Sequence, residues 1–251
     1  MPQADPRCAT SRDERQFARL VVAMLASPMV LQGSIVDCGA HTGGESCLYA
    51  TAQPNRLVHA VEPLEGNLQK LRETYGWLPN LRPMLGALGS SNREVALQGP
   101  RTASMLIHVD KRKAAGSTSN GGTLKIHTLD SLFLGGAWDG ETLAFGHFDV
   151  EGSELDLLQG AERVLRRDRP LITVEVDLHN SNFARSLLQE LETLDYRVHM
   201  VPEICGLHKD CRNLVCVPAE RRASHAVTSV TVPVHSRSYN STALMSVPLL
   251  S

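Results

Sequence analysis

The chain has 251 residues, of which 42% are hydrophobic and 21% are charged, so we expect one globular domain with a sizeable core. The formal net charge of −2 gives no electrostatic reason to expect a nucleic acid or an anionic membrane as a partner. No apolar run reaches the roughly 18 residues of a membrane span, and the N-terminus lacks the pattern of a signal peptide. We therefore expect a cytoplasmic protein that binds no membrane.

Three segments are predicted along the chain. Residues 1–11 are expected to form a loose leader, and residues 12–218 a single domain that begins with a helix over 12–27. Apolar side chains spaced three and four residues apart place one apolar face on this helix, which would pack on the sheet edge or cover a cofactor. Residues 219–251 are rich in Ser, Val, Thr and Pro with little periodicity, which predicts a poorly ordered tail.

Residues 35–44, which read IVDCGAHTGG, combine an apolar run with a glycine-containing turn that leads into a helical segment. A buried parallel strand that ends in a tight turn and opens a helix is the ligand-binding corner of a doubly wound α/β sheet. Asp37, Gly39 and Gly43 form the pattern D-x-G-x-x-x-G, whereas a dinucleotide site has G-x-G-x-x-G. The pattern resembles the first motif of methyltransferases that depend on S-adenosylmethionine (SAM).

That resemblance implies a role for each residue of the turn. Gly39 would permit the sharp turn, and Gly43 would let the backbone approach the methionine part of SAM. Asp37, Ala40 and His41 are expected to line the same cofactor site. Amides without a partner at the start of the following helix can face the carboxylate of SAM.

A second apolar run, residues 57–61, ends in Glu62. An acid at the tip of the second strand can accept both ribose hydroxyls of an adenosine, so Glu62 is a candidate cofactor ligand. Residues 81–88 predict a third strand close to the sheet edge, because a proline and a glycine interrupt it. Ala87 and Leu88 end this strand and are expected near the adenine.

The rest of the chain alternates between apolar runs and polar connections. Residues 105–109 are expected to form a strand, and residues 111–122 a loop that is either a solvated insertion or a lid over the substrate. Strands are also predicted over 143–149, 171–176, 196–201 and 213–217, and Ser153 is expected to cap a long amphipathic helix. The connection between the last two strands is short enough for an antiparallel pair.

The six cysteines are interpreted as unpaired thiols, in keeping with a cytoplasmic location. Two of them flank the glycine turn, where a free cysteine behaves as a small buried apolar residue. The three in the C-terminal part have no C-x-x-C spacing, which argues against a structural zinc site. The residues concerned are Cys8, Cys38, Cys47, Cys205, Cys211 and Cys216.

Residues 148–176 contain an Asp-Val-Glu-Gly corner, an acid two positions later, a Leu-x-x-Gly-Ala helix, and an Arg-Pro before a strand with a glutamate. This combination resembles the hallmark of FkbM-type methyltransferases. Residues 35–45 (IVDCGAHTGGE), 58–73 (VHAVEPLEGNLQKLRE) and 213–218 (NLVCVP) resemble other motifs of the same family. Two positions depart from the common pattern: His41 replaces a frequent asparagine, and His147 replaces a frequent lysine.

The resemblance implies a class I methyltransferase (Rossmann-like) fold, an α/β doubly wound, mostly parallel seven-stranded sheet with an antiparallel last strand. It also implies SAM as the methyl donor and a hydroxyl of a small molecule or a glycan as the acceptor. Two other classes stay open: a non-catalytic SAM-binding or interaction module, and a nicotinamide-dependent oxidoreductase. The glycine spacing disfavours the oxidoreductase.

Methyl transfer to a hydroxyl needs a group that takes up the hydroxyl proton. Asp149 is expected near the sulfonium end of SAM, where its carboxylate can face the amino group, and Glu151 and His179 are the candidate bases. Glu175 lies in an apolar strand, where a buried carboxylate needs a partner. We expect it to hold the corner over 149–152 through backbone amides.

A divalent metal is a further possibility. Asp149, Asp177 and Asn180 resemble the carboxylate, carboxylate and amide set of catechol-type methyltransferases, and three oxygen ligands suit magnesium. Asp177 and Asn180 are three positions apart rather than adjacent, so the preferred interpretation needs no metal.

Overall fold

The structure is a computed structural model that describes residues 5–8, 15–96, 122–177, 180–203 and 211–239. The strand predicted over 105–109, and all but the last residue of the loop predicted over 111–122, lie outside these ranges. None of the helices in the described ranges is long and apolar enough to cross a membrane.

Helices and strands alternate through most of the described chain. The helices are α1 (Arg15–Leu25), α2 (Gly44–Ala52), α3 (Glu65–Tyr75), α4 (Leu129–Phe133), α5 (Glu154–Gln159), α6 (Glu162–Asp168), α7 (Ser181–Thr193) and α8 (His225–Thr228). The strands are β1 (Ser34–Cys38), β2 (Val58–Glu62), β3 (Leu81–Leu85), β4 (Ala87–Leu88), β5 (Arg93–Ala96), β6 (Thr123–His127), β7 (Leu143–Phe148), β8 (Leu171–Asp177), β9 (Tyr196–Met200), β10 (Cys211–Pro218) and β11 (Val232–Val234).

The main sheet has the strand order β11-β9-β10-β8-β7-β1-β2-β3. The neighbouring pairs β3–β2, β2–β1, β1–β7 and β7–β8 are parallel, whereas β10 runs antiparallel to both β8 and β9. The mostly parallel α/β sheet predicted from the sequence is therefore confirmed, including the antiparallel pair near its end. A small second sheet, β4-β6-β5, lies beside it.

Helices cover both faces of the main sheet, because the strand side chains alternate between two apolar cores. One core lies between the sheet and α4, α5, α6 and α7, and it contains Phe133, Leu158 and Leu187. The other lies between the sheet and α1, α2 and α3, and it contains Phe17 and Leu71. Helix α1 thus packs on the sheet, as the apolar face predicted.

The segment after residue 218 adds an eighth strand to the sheet. Strand β11 pairs antiparallel with β9, whose outer edge would otherwise expose unpaired backbone groups. Val227, Val234 and Tyr239 from this segment are buried in the cores. The prediction of a poorly ordered tail is therefore wrong for residues 219–239. This segment has little periodicity, but its three buried side chains and the pairing of β11 hold it against the domain.

The long helix predicted after Ser153 is two helices. Gly160 separates α5 from α6, and a Cβ atom on Gly160 would lie 2.0 Å from the carbonyl oxygen of Gly89. Asp130 accepts the backbone N–H groups of Arg163 and Val164, which starts α6. Ser153 makes no capping hydrogen bond with its side chain, so that prediction is wrong.

The expectation of unpaired thiols holds for only part of the set. Cys38 and Cys216 are free and buried, as expected. Cys47 in α2 forms a disulfide with Cys8, across 39 positions of sequence, and Cys211 is also disulfide-bonded. Sequence spacing did not indicate the Cys8–Cys47 pair, because only the folded chain brings the first residues against α2.

Candidate functional site

The turn after β1 crosses the chain segment that follows β7. Gly39 has φ 90°, and a Cβ atom on it would lie 1.6 Å from the backbone carbonyl oxygen of Asp149. The backbone N–H of Asp149 donates to the carbonyl oxygen of Cys38 at 3.0 Å. Gly39 therefore permits both the left-handed turn and this close crossing, which places Asp149 directly beside the turn.

Gly43 opens α2 with φ 89°, a conformation that favours glycine. A Cβ atom there would lie 2.6 Å from the Leu71 side chain and 3.0 Å from the Tyr75 ring, both on α3. Packing of helix α3 against the turn thus requires a glycine at this position. This contact accounts for Gly43 without the ligand approach that we expected from the sequence.

Glu62 ends β2 and is buried beside the same turn. Its carboxylate accepts the backbone N–H of His41 at 2.9 Å, the backbone N–H of Leu64 at 2.9 Å and the Asn67 side-chain amide at 3.1 Å. These bonds bring Glu62 and the glycine turn to the same side of the molecule. Burial raises the pKa of Glu62, and the three donors oppose that shift by stabilising the carboxylate.

Asp37, the last acid of β1, is 1% exposed. One carboxylate oxygen accepts the hydroxyl of Ser46 from α2, and the other, Oδ1, is buried without a hydrogen-bond partner among the described residues. Burial raises the pKa of Asp37 to about 8. A buried polar atom without a partner is costly in a folded protein, and here the cost falls on the charged form of Asp37.

Ala87 and Leu88 form the short strand β4 just beyond the tip of β2. The backbone N–H of Gly86 donates to the carbonyl oxygen of Glu62 at 3.2 Å, which holds this strand close to the acid. Leu88 is buried, and its backbone forms a hydrogen bond with the Cys38 side chain. The structure thus brings these two residues to the edge where β1 and β2 end.

A pair of carboxyl groups lies at the ends of β7 and β8. The Glu175 side chain forms a hydrogen bond with the Asp149 side chain, and burial raises the pKa of Glu175 well above its usual value. Two carboxyl groups can share a hydrogen bond only when one of them holds a proton. The raised pKa favours the protonated form of Glu175, which can donate that hydrogen bond to Asp149.

The corner over 149–152 is held by Glu154 rather than by Glu175. The Glu154 carboxylate is 2% exposed and accepts the backbone N–H groups of Val150 and Gly152, each at 3.0 Å. Burial raises the pKa of Glu154 to about 7. The role expected for Glu175 is thus wrong, because Glu154 accepts the backbone N–H groups of the corner instead.

The other candidate residues are more scattered. Glu151 is exposed, with φ 54°, and His179 lies outside the described residues. His41 is exposed and contributes its backbone N–H rather than its ring. His147 is buried, bonds the Thr173 hydroxyl at 2.9 Å, and has a pKa lowered by burial.

The proposed magnesium ligands do not form a recognisable site. Asn180 accepts the backbone N–H of Phe183 and thereby caps α7, while Asp177 is exposed at the end of β8. Within the ranges that the structure describes, no group of three or more His, Cys, Asp or Glu side chains is arranged to hold a metal ion.

Residues 37–198 match the model of the methyltransferase FkbM domain family. The chain belongs to the FkbM methyltransferase family. That match covers the turn after β1, the acid at the tip of β2 and the Asp149 corner, which are the features that the sequence motifs indicated. A search of the curated proteins returns no match.

Several solved methyltransferases resemble this FkbM chain in fold. A precorrin-6y C5,15-methyltransferase from Geobacter metallireducens matches with TM-score 0.50 and 14% identity, over 86% of this chain and 98% of that one. The FkbM methyltransferase from Methylobacillus flagellatus matches with TM-score 0.49 and 18% identity, over 78% of this chain and 47% of that one. This chain therefore spans about half the length of its FkbM relative.

The fibrillarin from Aeropyrum pernix, solved with natively bound SAM, matches with TM-score 0.45 and 13% identity, over 82% of this chain and 76% of that one. At these identities the likeness concerns the fold alone.

Proposed function

We propose that this protein is a SAM-dependent methyltransferase that methylates a hydroxyl group of a small molecule or a glycan. The carrying observation is that the glycine turn and Glu62 meet where β1 and β2 end, with the Glu62 carboxylate accepting the backbone N–H of His41. SAM is cationic at its sulfonium and its ammonium group, so carboxylates at this edge are complementary to it.

The residues around the turn fit the parts of SAM. Glu62 accepts three hydrogen bonds, and a carboxylate has about four acceptor positions, which leaves capacity for a ribose hydroxyl. The first amides of α2 are suited to the carboxylate of the methionine part. Asp149 would then face its cationic groups, and Ala87 and Leu88 the adenine, while Asp37 would support the turn from behind through Ser46 of α2.

SAM supplies a methyl group activated on a sulfonium, and the chain must hold an acceptor oxygen in line with it. The proton of that hydroxyl passes to a base within hydrogen-bond reach as the new bond to oxygen forms. Asp149 is the proposed receiver, because it lies beside the Gly39 turn and its side chain is hydrogen-bonded to Glu175. Glu151 and His179 stay candidates for the same step.

The disulfides bear on the cytoplasmic location that was expected from the sequence. Disulfides persist mainly in oxidising compartments and are rare in cytosolic proteins. The Cys8–Cys47 disulfide and the disulfide at Cys211 therefore favour an oxidising location over the cytoplasm.

Calorimetry with SAM tests the cofactor site. We expect saturable binding that Glu62→Ala weakens by about 1–3 kcal/mol through the lost charged hydrogen bonds. Glu65→Ala, three positions along on the exposed side of α3, is the matched control and should leave the affinity unchanged. Equal affinity for wild type and Glu62→Ala would contradict the proposed ribose contact.

Release of S-adenosylhomocysteine with a panel of hydroxyl compounds separates an enzyme from a non-catalytic binding module. Turnover with at least one hydroxyl acceptor supports the proposal. Binding of SAM without turnover on any acceptor would favour the module.

A further inference from the structure

Arg212 is a buried cation at the start of β10. It is 3% exposed, and no other lysine or arginine of the described residues is buried to this degree. A long charged side chain is seldom buried so deeply unless it has a partner of opposite charge. The position therefore calls for a physical explanation.

Among the described residues, the guanidinium of Arg212 has one hydrogen bond, from Nη1 to the carbonyl oxygen of its neighbour Cys211 at 2.8 Å. None of the ion pairs among the described residues includes it. By contrast, Arg167 and Arg169 are paired with Asp168 and Glu220. Since a guanidinium carries five N–H donors, most of the donors of Arg212 have no acceptor among the described residues.

Two further observations describe its surroundings. Burial lowers the pKa of the Arg212 guanidinium, and no carboxylate counteracts that effect. Some polar side-chain atoms of the described residues are fully buried and have no hydrogen-bond partner. Nε and Nη2 of Arg212 do not belong to that group. The donors that the protein leaves unused therefore keep some contact with solvent, which gives a small ligand group a path to them.

The strand register places Arg212 at the functional edge of the sheet. Arg212 lies opposite Val176 in the β8–β10 pair, so its side chain is on the Val176 face of the sheet, and Glu175, the preceding residue of β8, is on the other face. Strands β7 and β8 are neighbours, so Asp149 and Arg212 are separated by two strand spacings, about 10 Å. Arg212 is thus on the side of the carboxyl pair that lies away from β1, β2 and the proposed SAM site.

We propose that Arg212 binds an oxyanion, a carboxylate, sulfate or phosphate group, carried by the methyl acceptor. A buried charge without a counter-ion destabilises the fold, whereas a planar guanidinium with free N–H groups suits a bidentate oxyanion. In the proposed function the acidic groups of the edge would face the cationic cofactor, and Arg212, the one buried Lys or Arg among the described residues, would be left for an anionic acceptor. The assignment of the anion to a methyl acceptor rests on the proposed function, whereas the oxyanion site itself does not.

Titration calorimetry with sodium acetate, sulfate and inorganic phosphate, at constant ionic strength set with chloride, tests the site. At least one of these anions should bind saturably to the wild-type protein. Arg212→Met should weaken that binding about 10- to 100-fold, the usual loss for a charged hydrogen bond. Arg197→Met, on the exposed side of the neighbouring strand β9, is the control and should bind like wild type.

The choice of anion separates the possible acceptor groups. Preference for acetate indicates a carboxylate, and preference for sulfate or phosphate indicates a tetrahedral oxyanion. Arg212→Lys should keep part of the anion affinity. The loss of affinity should be largest for acetate, since lysine lacks the planar fork of N–H groups that pairs with a carboxylate. Lack of saturable binding to wild type, or equal losses in both methionine variants, would show an adventitious ion only and overturn the proposal.

Two measurements separate this site from a structural role and from the cofactor site. Without added oxyanion, Arg212→Met should unfold at the same or a higher temperature than wild type, because the unpaired buried charge is gone. A large loss of stability would instead make Arg212 a structural residue. SAM affinity should be unchanged in Arg212→Met, whereas failure of wild type to bind SAM would refute the proposed function and leave the oxyanion result standing.

Discussion

The backbone carbonyl oxygen of Asp149 lies 1.6 Å from the position that a Cβ atom would take on Gly39. This crossing joins the end of β1 to the segment after β7, and it brings the first sequence motif against the Asp-Val-Glu-Gly corner. Since Gly39 also has φ 90°, any side chain there meets backbone atoms in an unfavourable conformation.

Gly39→Ala should therefore destabilise the protein by more than about 2 kcal/mol, because both the backbone strain and the displaced carbonyl oppose it. Gly66→Ala in α3 is the matched control, since a Cβ atom there would meet no other atom within 4 Å. We expect the control to be neutral or stabilising by up to about 1 kcal/mol. Urea unfolding of the three proteins measures both effects; similar stability of Gly39→Ala and wild type would contradict the crossing.

Stability without cofactor should fall between about pH 4 and pH 8 on account of Asp37 and Glu154, whose pKa values are raised to about 8 and about 7. The unfolded chain releases these protons near pH 4, whereas the folded protein keeps them. The folded state then binds more protons, so stability decreases as the pH rises, by up to about 1.4 kcal/mol per pH unit for each group.

Asp37→Asn and Glu154→Gln should each make the pH dependence of unfolding shallower over that interval. Each keeps acceptor capacity at its site, and neither titrates. Glu65→Gln, an exposed residue, should reproduce the wild-type slope. Urea unfolding at several pH values provides the comparison, and identical slopes in all four proteins would rule out protonated carboxyl groups at both positions.

Glu175→Gln should leave stability at neutral pH within about 1 kcal/mol of wild type. The amide N–H can donate to the Asp149 side chain in place of the protonated Glu175 carboxyl group. Glu175→Ala removes that donor, and we expect it to cost about 1–3 kcal/mol because Asp149 loses its partner. Thermal unfolding of both variants checks this order. An amide variant that is less stable than the alanine variant would contradict a protonated pair.

Cys8→Ser should lower stability by about 2–4 kcal/mol, since the Cys8–Cys47 disulfide closes a loop of about 40 residues in the unfolded chain. Alkylation of the unfolded, non-reduced protein followed by peptide mass spectrometry identifies the linkage. Cys38 and Cys216 should react, and Cys8 and Cys47 should appear as one linked pair. Alkylated Cys8 in protein purified without reductant would show that the disulfide does not form.

Local patterns determined the fold class and the outline of the site. The strand that ends at Asp37, the turn with Gly39 and Gly43, and the acid that ends β2 were all predicted from short stretches of sequence. Such stretches suffice because a buried strand, a tight turn and a strand tip each depend on a few neighbouring residues. The structure places Glu62 and the glycine turn together, as these patterns required.

Contacts between distant segments were decided only by the tertiary structure. No local pattern indicated that Cys8 meets Cys47, that Glu154 rather than Glu175 holds the corner, or that residues 232–234 extend the sheet. The depth at which Arg212 is buried, and the contact between Asp149 and Glu175, likewise depend on which elements pack together. Burial and pairing are properties of neighbours in space, and the one-dimensional spacing of residues does not contain them.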